Sequence, residues 1–297
     1  MSMSQLAPLY EGNVVYNVFT SAMSERDFER LSTFIKREFG INLPPTKKFM
    51  LESRLLKRLR ALGIHNYGDY CDYLFSSDGM SSEVVQMIDL VTTNKTSFYR
   101  EPAHYDYLRD EALPRLAEQL GAGVNRSLNV WSAGCSTGQE PYTLAMILSD
   151  YAEGATGYRY QILGSDISTR VLETARLAIY DEDDVEPLPS ALKRKYVMRS
   201  RDRSSQEVRL TPRLREHVSF RRINFMENDF SFRAPVDVLF CRNVIIYFDR
   251  ATQEALLRKF VQAMAPGGYL FMGHSETLND MNLNLRPVFP AAYRKPF

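Results

Sequence analysis

The sequence has only three cysteines, Cys71, Cys135 and Cys241, far apart from one another. An odd, sparse set makes no disulfide framework, and no CxxC pair marks a zinc site. Histidine is scarce too: the four, at 65, 104, 217 and 274, lack metal-ligand spacing, so no metal is expected. Long apolar runs are missing. No stretch approaches the ~18 residues that cross a membrane, so no membrane insertion is expected. The opening "MSMSQLAPLYEGNVVYNVF" has no cationic region ahead of an apolar run and does not read as a signal peptide. An excess of one charge is absent as well. Lys and Arg number 37 against 36 Asp and Glu, a net charge of +1. Non-specific nucleic-acid binding leans on a strong basic excess, so nucleic acid is not the expected partner. There is no internal repeat and no low-complexity tract. These absences leave a cytoplasmic, monomeric globular protein as the expectation.

What is present supports that class. Apolar residues make up 44% of the 297, enough for one large domain or two ordinary ones. Residues 1–23 read as a loosely held arm. The pattern then turns helical over 24–91. "SERDFERLSTFIKREFG" offers a Ser N-cap, apolar residues Phe28, Leu31, Phe34 and Ile35 at 3–4 spacing, and a closing glycine at 40. "PPTKKFMLESRLLKRLRALG" is a second helix with Met50, Leu51, Leu55 and Leu59 on one side, and two shorter helices follow. Next come the polar and aromatic "TTNKTSFYRE" and a long helix, so 92–120 joins two units. From 121 to 297, strand-like runs alternate with helices, as in a doubly wound parallel sheet. A helix stopped by Pro266, Gly267 and Gly268 and a last hairpin close it. The interruption at about 181–216 is too long for a crossover loop and predicts a small inserted subdomain.

The chemistry collects at strand ends. "NVWSAGCSTGQEPYTLAM" has the strand–turn–helix form of a nucleotide site, with Gly134 letting a ligand approach the backbone. It lacks both the dinucleotide fingerprint and the Walker lysine. Glu140 would repel a pyrophosphate but suits a cationic ligand such as S-adenosylmethionine; as a helix N-terminal acid it needs no ligand at all. Asp166, near the end of the next strand, is placed to accept from ribose hydroxyls, or simply to cap the following helix in competition with Ser168. In "DVLFCRNVIIYF", Arg242 and Asn243 end a central strand, with Tyr247 a turn later in a core or a functional role. The motif is not the Asn-Pro-Pro-Tyr or Asp-Pro-Pro-Tyr expected of an enzyme methylating a base amine.

Taken in order, "TTNKTSFYRE", "WSAGCSTGQEPYTLAM", "GSDIS", "FCRNVIIYFD" and "PGGYLFMGHSE" closely resemble the CheR family, the chemotaxis receptor glutamate methyltransferases, over about 24–295. The resemblance implies a Rossmann-like S-adenosylmethionine-dependent methyltransferase domain, an all-helical N-terminal domain and a small inserted β-subdomain. It implies cofactor contacts from Asn94, Thr96, Arg100, Gly134, Glu140, Asp166, Asn224, Phe225, Arg242 and Asn243. It puts Arg100 and Tyr247 near the reacting centre, with S-adenosylhomocysteine as product. The implied partners are the cytoplasmic methylation helices of chemoreceptors. Under it the basic run Lys47, Lys48, Arg54, Lys57, Arg58 and Arg60 becomes a docking surface; without it, the run is a solvated face. Some relatives also bind a receptor C-terminal pentapeptide through the insertion. "MRSRDRSSQEVRL" has no glycine for a tight binding loop, which argues against that dependence here. The competing readings are a methyltransferase for nucleic acid or a small molecule, a non-catalytic binding module that senses the cofactor or docks on receptors, and, more distantly, a dehydrogenase.

Overall fold

The computed structural model describes residues 22–202, 204–278 and 281–297. Most of the proposed arm thus lies outside the described residues, although Met23 is buried.

Four helices form the first unit: α1 (Glu25–Phe39), α2 (Lys48–Leu62), α3 (Tyr67–Leu74) and α4 (Ser77–Val91). Ser24 caps α1, its Oγ accepting from the Asp27 N–H at 3.1 Å. The predicted stripe Phe28, Leu31, Phe34 and Ile35 is buried. Leu51, Leu55 and Leu59 of α2 meet it, with Tyr70, Met87 and Ile88 from the other helices. Met50 departs from this stripe and faces the cavity described below.

The junction helix is less regular than its sequence suggests. α5 (Pro102–Tyr107) passes through a π-turn at Leu108–Ala112 into α6 (Leu113–Leu120). Pro114 has no N–H to give an α-helical ladder, and the wide turn, closed by Leu113 N–H to the Leu108 carbonyl, absorbs the defect.

The second unit runs β1 (Leu128–Ala133), α7 (Gln139–Gly154), β2 (Tyr160–Asp166) and α8 (Thr169–Leu177). The inserted part follows: β3 (Ile179–Asp181), α9 (Ser190–Tyr196), β4 (Val197–Arg199) and β5 (Glu207–Leu210). Then come α10 (Pro212–Arg215), β6 (Val218–Arg222), β7 (Val236–Cys241), α11 (Arg250–Ala263), β8 (Met264–Met272), β9 (Arg286–Phe289) and β10 (Ala292–Arg294). The large sheet has the order β6-β2-β1-β7-β8-β10-β9, and β3-β5-β4 form a separate antiparallel sheet. β6, β2, β1, β7 and β8 are mutually parallel, and β10 adds antiparallel to β8. α11 ends at Ala263, three residues before Pro266, and Pro266, Gly267 and Gly268 lie inside β8. The residue before a proline prefers extended backbone, so the helix stops earlier than the Pro-Gly-Gly signal itself.

Along the central strands, successive residues enter opposite cores. Val238 and Phe240 join Tyr105, Tyr142 and Phe271 on one face. Leu239 and Cys241 join Trp131, Phe260 and Met272 on the other. Both faces are covered, hence the continuous apolar runs. Trp131 donates from Nε1 to Ser165 Oγ at 2.8 Å. Strand order reverses between β1 and β7, so their carboxyl ends open a crevice.

The helical unit is tied over that crevice. Asp89 of α4 accepts from Thr169 N at 2.8 Å and Thr169 Oγ1 at 2.7 Å. Asn224 Nδ2 donates to the Glu38 carbonyl at 2.7 Å, and Asn42 N to the Tyr247 carbonyl at 2.8 Å.

Candidate active site

A cavity of about 370 Å³ fills the crevice, walled by both units. Its lining includes Asn94, Thr96, Arg100, Gly134, Glu140, Asp166, Asn224, Phe225, Arg242, Asn243 and Tyr247. Every residue proposed from the sequence for cofactor or chemistry therefore meets in one place. Their individual roles differ.

The floor is the β1–α7 turn. Gly134 has φ +77°, and a Cβ there would stand 2.5 Å from Val244 Cγ2. Ser136, also left-handed at φ +50°, donates its N–H to Asp166 Oδ2 at 2.9 Å and its hydroxyl to the Asn94 carbonyl at 2.9 Å. Asp166 Oδ1 accepts from Ser168 N at 3.0 Å. Burial lifts the Asp166 carboxyl above its ordinary value, and backbone N–H bonds pull the other way. Asp166 thus organises the turn and still presents carboxylate lone pairs to the cavity it lines. Ser168, its competitor, caps α8.

Glu140 and Arg242 form the second layer. Glu140 Oε1 accepts from Ser132 Oγ at 2.7 Å and Oε2 from Arg242 Nε at 2.7 Å. Arg242 donates Nη1 to the Arg100 carbonyl at 2.7 Å and Nη2 to Tyr105 Oη at 2.6 Å. Its guanidinium also stands over the Tyr105 and Phe240 rings. Burial works against this charge, yet Tyr105 and Glu140 outweigh it and hold the guanidinium above its ordinary value. Arg242 lines the cavity, but each of its three guanidinium nitrogens already donates within the protein. It fixes Glu140 and the backbone of Arg100.

Arg100 itself is different. It is half-buried, and its Nη1 makes one long bond, 3.5 Å, to the Lys95 carbonyl. Tyr247 is 36% exposed at the end of a 3₁₀ turn, Ile245–Tyr247. Asn94 and Thr96 line the same wall, whereas Phe98 does not. Phe98 is fully buried, edge-on to Tyr180 at 5.0 Å, so it packs the junction against the insertion.

Sequence patterns missed Glu276. Its carboxylate accepts four backbone N–H groups: Asn243 at 2.8 Å, Val244 at 2.8 Å, Ile245 at 2.9 Å and Gly273 at 2.8 Å. This nest shapes the loop carrying Asn243 and Tyr247 and holds Asn243 at φ +59°. Burial pushes the Glu276 carboxyl up, opposed by those same N–H groups. A lone acid after a strand carries no signal of such a role. Asn42, Lys47, Met50 and Ser136 also line the cavity and were not anticipated.

Among the seven non-glycine residues with positive φ in the described chain, Tyr99, Glu101, Ser136 and Asn243 sit in or beside the cavity. Backbone strain gathers at functional sites. Asn243 Oδ1 is buried without a partner, an acceptor awaiting a donor from outside the chain. With that orphan acceptor and two buried acids, the cavity fits an adenosyl ligand bearing positive charge.

The basic residues of the run 47–60 divide. Arg58 pairs with buried Glu83, from Nε at 2.8 Å and Nη2 at 2.5 Å. Arg54 bonds the Val91 and Thr92 carbonyls and Thr93 Oγ1, and Lys48 meets Glu25 at 2.5 Å. Lys47, Lys57 and Arg60 are exposed.

A doubly wound sheet, with this cavity at its reversal point and a helical cover, defines a Rossmann-like methyltransferase that takes S-adenosylmethionine. Residues 26–92 match the family model "CheR methyltransferase, all-alpha domain", and 94–293 match "CheR methyltransferase, SAM binding domain". The chain belongs to the CheR family. It is 39% identical over 274 residues to the chemotaxis protein methyltransferase of Borreliella burgdorferi, covering 92% of this chain and 95% of that one. It is 39% identical over 260 residues to the chemotaxis protein methyltransferase of Escherichia coli, covering 88% and 87%.

Proposed function

We propose that the protein transfers a methyl group from S-adenosylmethionine to glutamate side-chain carboxylates of chemoreceptors in the cytoplasm, forming methyl esters. One observation carries this reading: the cavity's charge is layered. Its buried charges, Glu140, Asp166 and Arg242, sum to −1, while Lys47 and Lys95 on its lining are exposed and Arg100 is half-buried. A cationic ligand is favoured deep inside, and an anionic acceptor at the mouth.

S-adenosylmethionine supplies an electrophilic methyl on a sulfonium. The residues of this chain hold and orient. Asp166 and Glu140 provide carboxylates for hydroxyl and cationic groups, and Asn243 Oδ1 an acceptor. A glutamate acceptor is already ionised at neutral pH, with a reference pKa of about 4.3, so no general base is needed. Arg100 has a planar fork suited to a carboxylate. Tyr247 has a hydroxyl to orient an acceptor oxygen. Positioning at about 3–3.5 Å and exclusion of water then lower the barrier.

The first test is labelled methyl transfer to a panel of chemoreceptor cytoplasmic domains, followed by base treatment. Methyl esters release methanol and methylamines do not. Arg100→Ala is expected to lower turnover by roughly 10²-fold, the scale of a lost positioning group. Tyr247→Phe should lower it less. Turnover near wild type in both variants, with unchanged S-adenosylhomocysteine affinity, would remove these two roles.

The docking face is best carried by Lys47, Lys57 and Arg60, the exposed members of the run. Lys57→Glu with Arg60→Glu is expected to raise KM for a receptor fragment about tenfold at low salt and less at 0.5 M, leaving the melting temperature unchanged. A KM unmoved at low salt would exclude this face. Arg58→Glu is the wrong probe, because it strands Glu83 in the core.

A further inference from the structure

The fold brings His274 to Glu101 and His104, which stand three residues apart at the start of α5. One ligating atom from each lies within 4.8 Å of the others. His104 is fully buried, and its Nε2 stands 3.0 Å from the Pro290 carbonyl. A carbonyl only accepts, so Nε2 carries the proton and a neutral imidazole keeps its lone pair on Nδ1. That Nδ1 has no hydrogen-bond partner. It points at Glu101 Oε2, 3.5 Å away. Two acceptors thus face each other inside the protein, an arrangement that calls for something positive between them. The His274 ring closes the third side, its centroid 5.0 Å from that of His104.

We infer that Glu101, His104 and His274 form a binding site for a divalent cation of the zinc class, separate from the cofactor cavity. Two imidazoles and a carboxylate are the donor set such ions take, with solvent completing the shell. With metal–ligand bonds of about 2.0–2.2 Å, tetrahedral ligands stand ~3.3 Å apart. The His104–Glu101 separation is already close to that edge. His274 is exposed and closes the remaining distance by side-chain rotation. One charge opposes the ion: Arg242 Nη1 is 3.4 Å from Glu101 Oε2. Glu140 offsets it, so the formal charges of Glu101, Glu140 and Arg242 sum to −1 before the ion binds. A bound cation would clamp the residue after Arg100 to the loop that carries Glu276.

The test is Zn²⁺ titration of the untagged full chain by calorimetry against a chelator of known affinity. One equivalent is expected to bind. His274→Ala should weaken it by at least the ~10–100-fold that loss of a supporting partner costs a metal site. Glu101→Gln should weaken it similarly, and His65→Ala should leave it unchanged. Because His274 is exposed, its variant is expected to fold with an unaltered circular dichroism spectrum. Zn²⁺ should raise the melting temperature of the wild type and not of His274→Ala. Absence of saturable one-equivalent binding, or wild-type affinity in His274→Ala, would overturn the site.

Discussion

Glu276→Ala is expected to cost about 4 kcal/mol of folding stability. The substitution strands four backbone N–H donors. Each buried donor left unpaired costs ~1–3 kcal/mol, and relaxation or entering water recovers part of the sum. Against a total of ~5–15 kcal/mol that is a large share. For a chain of this size it lowers the melting temperature by roughly 8–16 °C. Glu276→Gln keeps an accepting oxygen but turns an N–H₂ toward the same donors, so it should fall between. Cofactor affinity should drop in parallel, because Asn243 and Tyr247 ride on the loop that Glu276 holds. Urea unfolding and calorimetry with S-adenosylhomocysteine measure the two effects. An unchanged melting point in Glu276→Ala would show that the loop is held by other means.

The second large effect is at Arg242. Arg242→Met leaves Glu140 ionised and unpaired in a buried position, which costs ~3–5 kcal/mol. Arg242→Lys keeps the charge but cannot serve Glu140, the Arg100 carbonyl and Tyr105 at once, so about half that loss is expected. The decisive variant is the double change Arg242→Met with Glu140→Gln. With no stranded charge, stability should return to within ~1.5 kcal/mol of wild type, while S-adenosylhomocysteine affinity stays low because the Glu140 carboxylate is gone. If the two single costs simply add, the pair is not coupled.

These two residues show where sequence reasoning stops. The alternation of strand and helix, the caps at Ser24 and Gly40 and the apolar stripe of α1 are local patterns, and the fold follows them. The cavity residues were legible because short motifs end on strands whose carboxyl ends must converge. What each side chain does there is set by partners distant in sequence. Arg242 looks like a ligand contact from its position, yet its donors go to Glu140, Arg100 and Tyr105. Lys48, Arg54 and Arg58 look like surface charge in a helix read alone. Glu25, Val91 and Glu83, from 23 to 37 residues away, claim them. Phe98 sits among polar site residues and belongs to the core. The end of α11 was misplaced for a local reason, since backbone becomes extended ahead of Pro266.

The sequence holds one tryptophan. Trp131 is buried on β1, ringed by Phe225, Phe230 and Phe260, and bonded to Ser165, the immediate neighbour of Asp166. Phe225 belongs at once to that aromatic cage and to the cavity wall. The chain therefore carries a single indole one residue from a carboxylate of the cavity, and excitation at the red edge selects its emission over that of the 17 tyrosines. Occupancy of the site can be followed by its emission alone, without label or coupled assay, in the wild type and in each variant above.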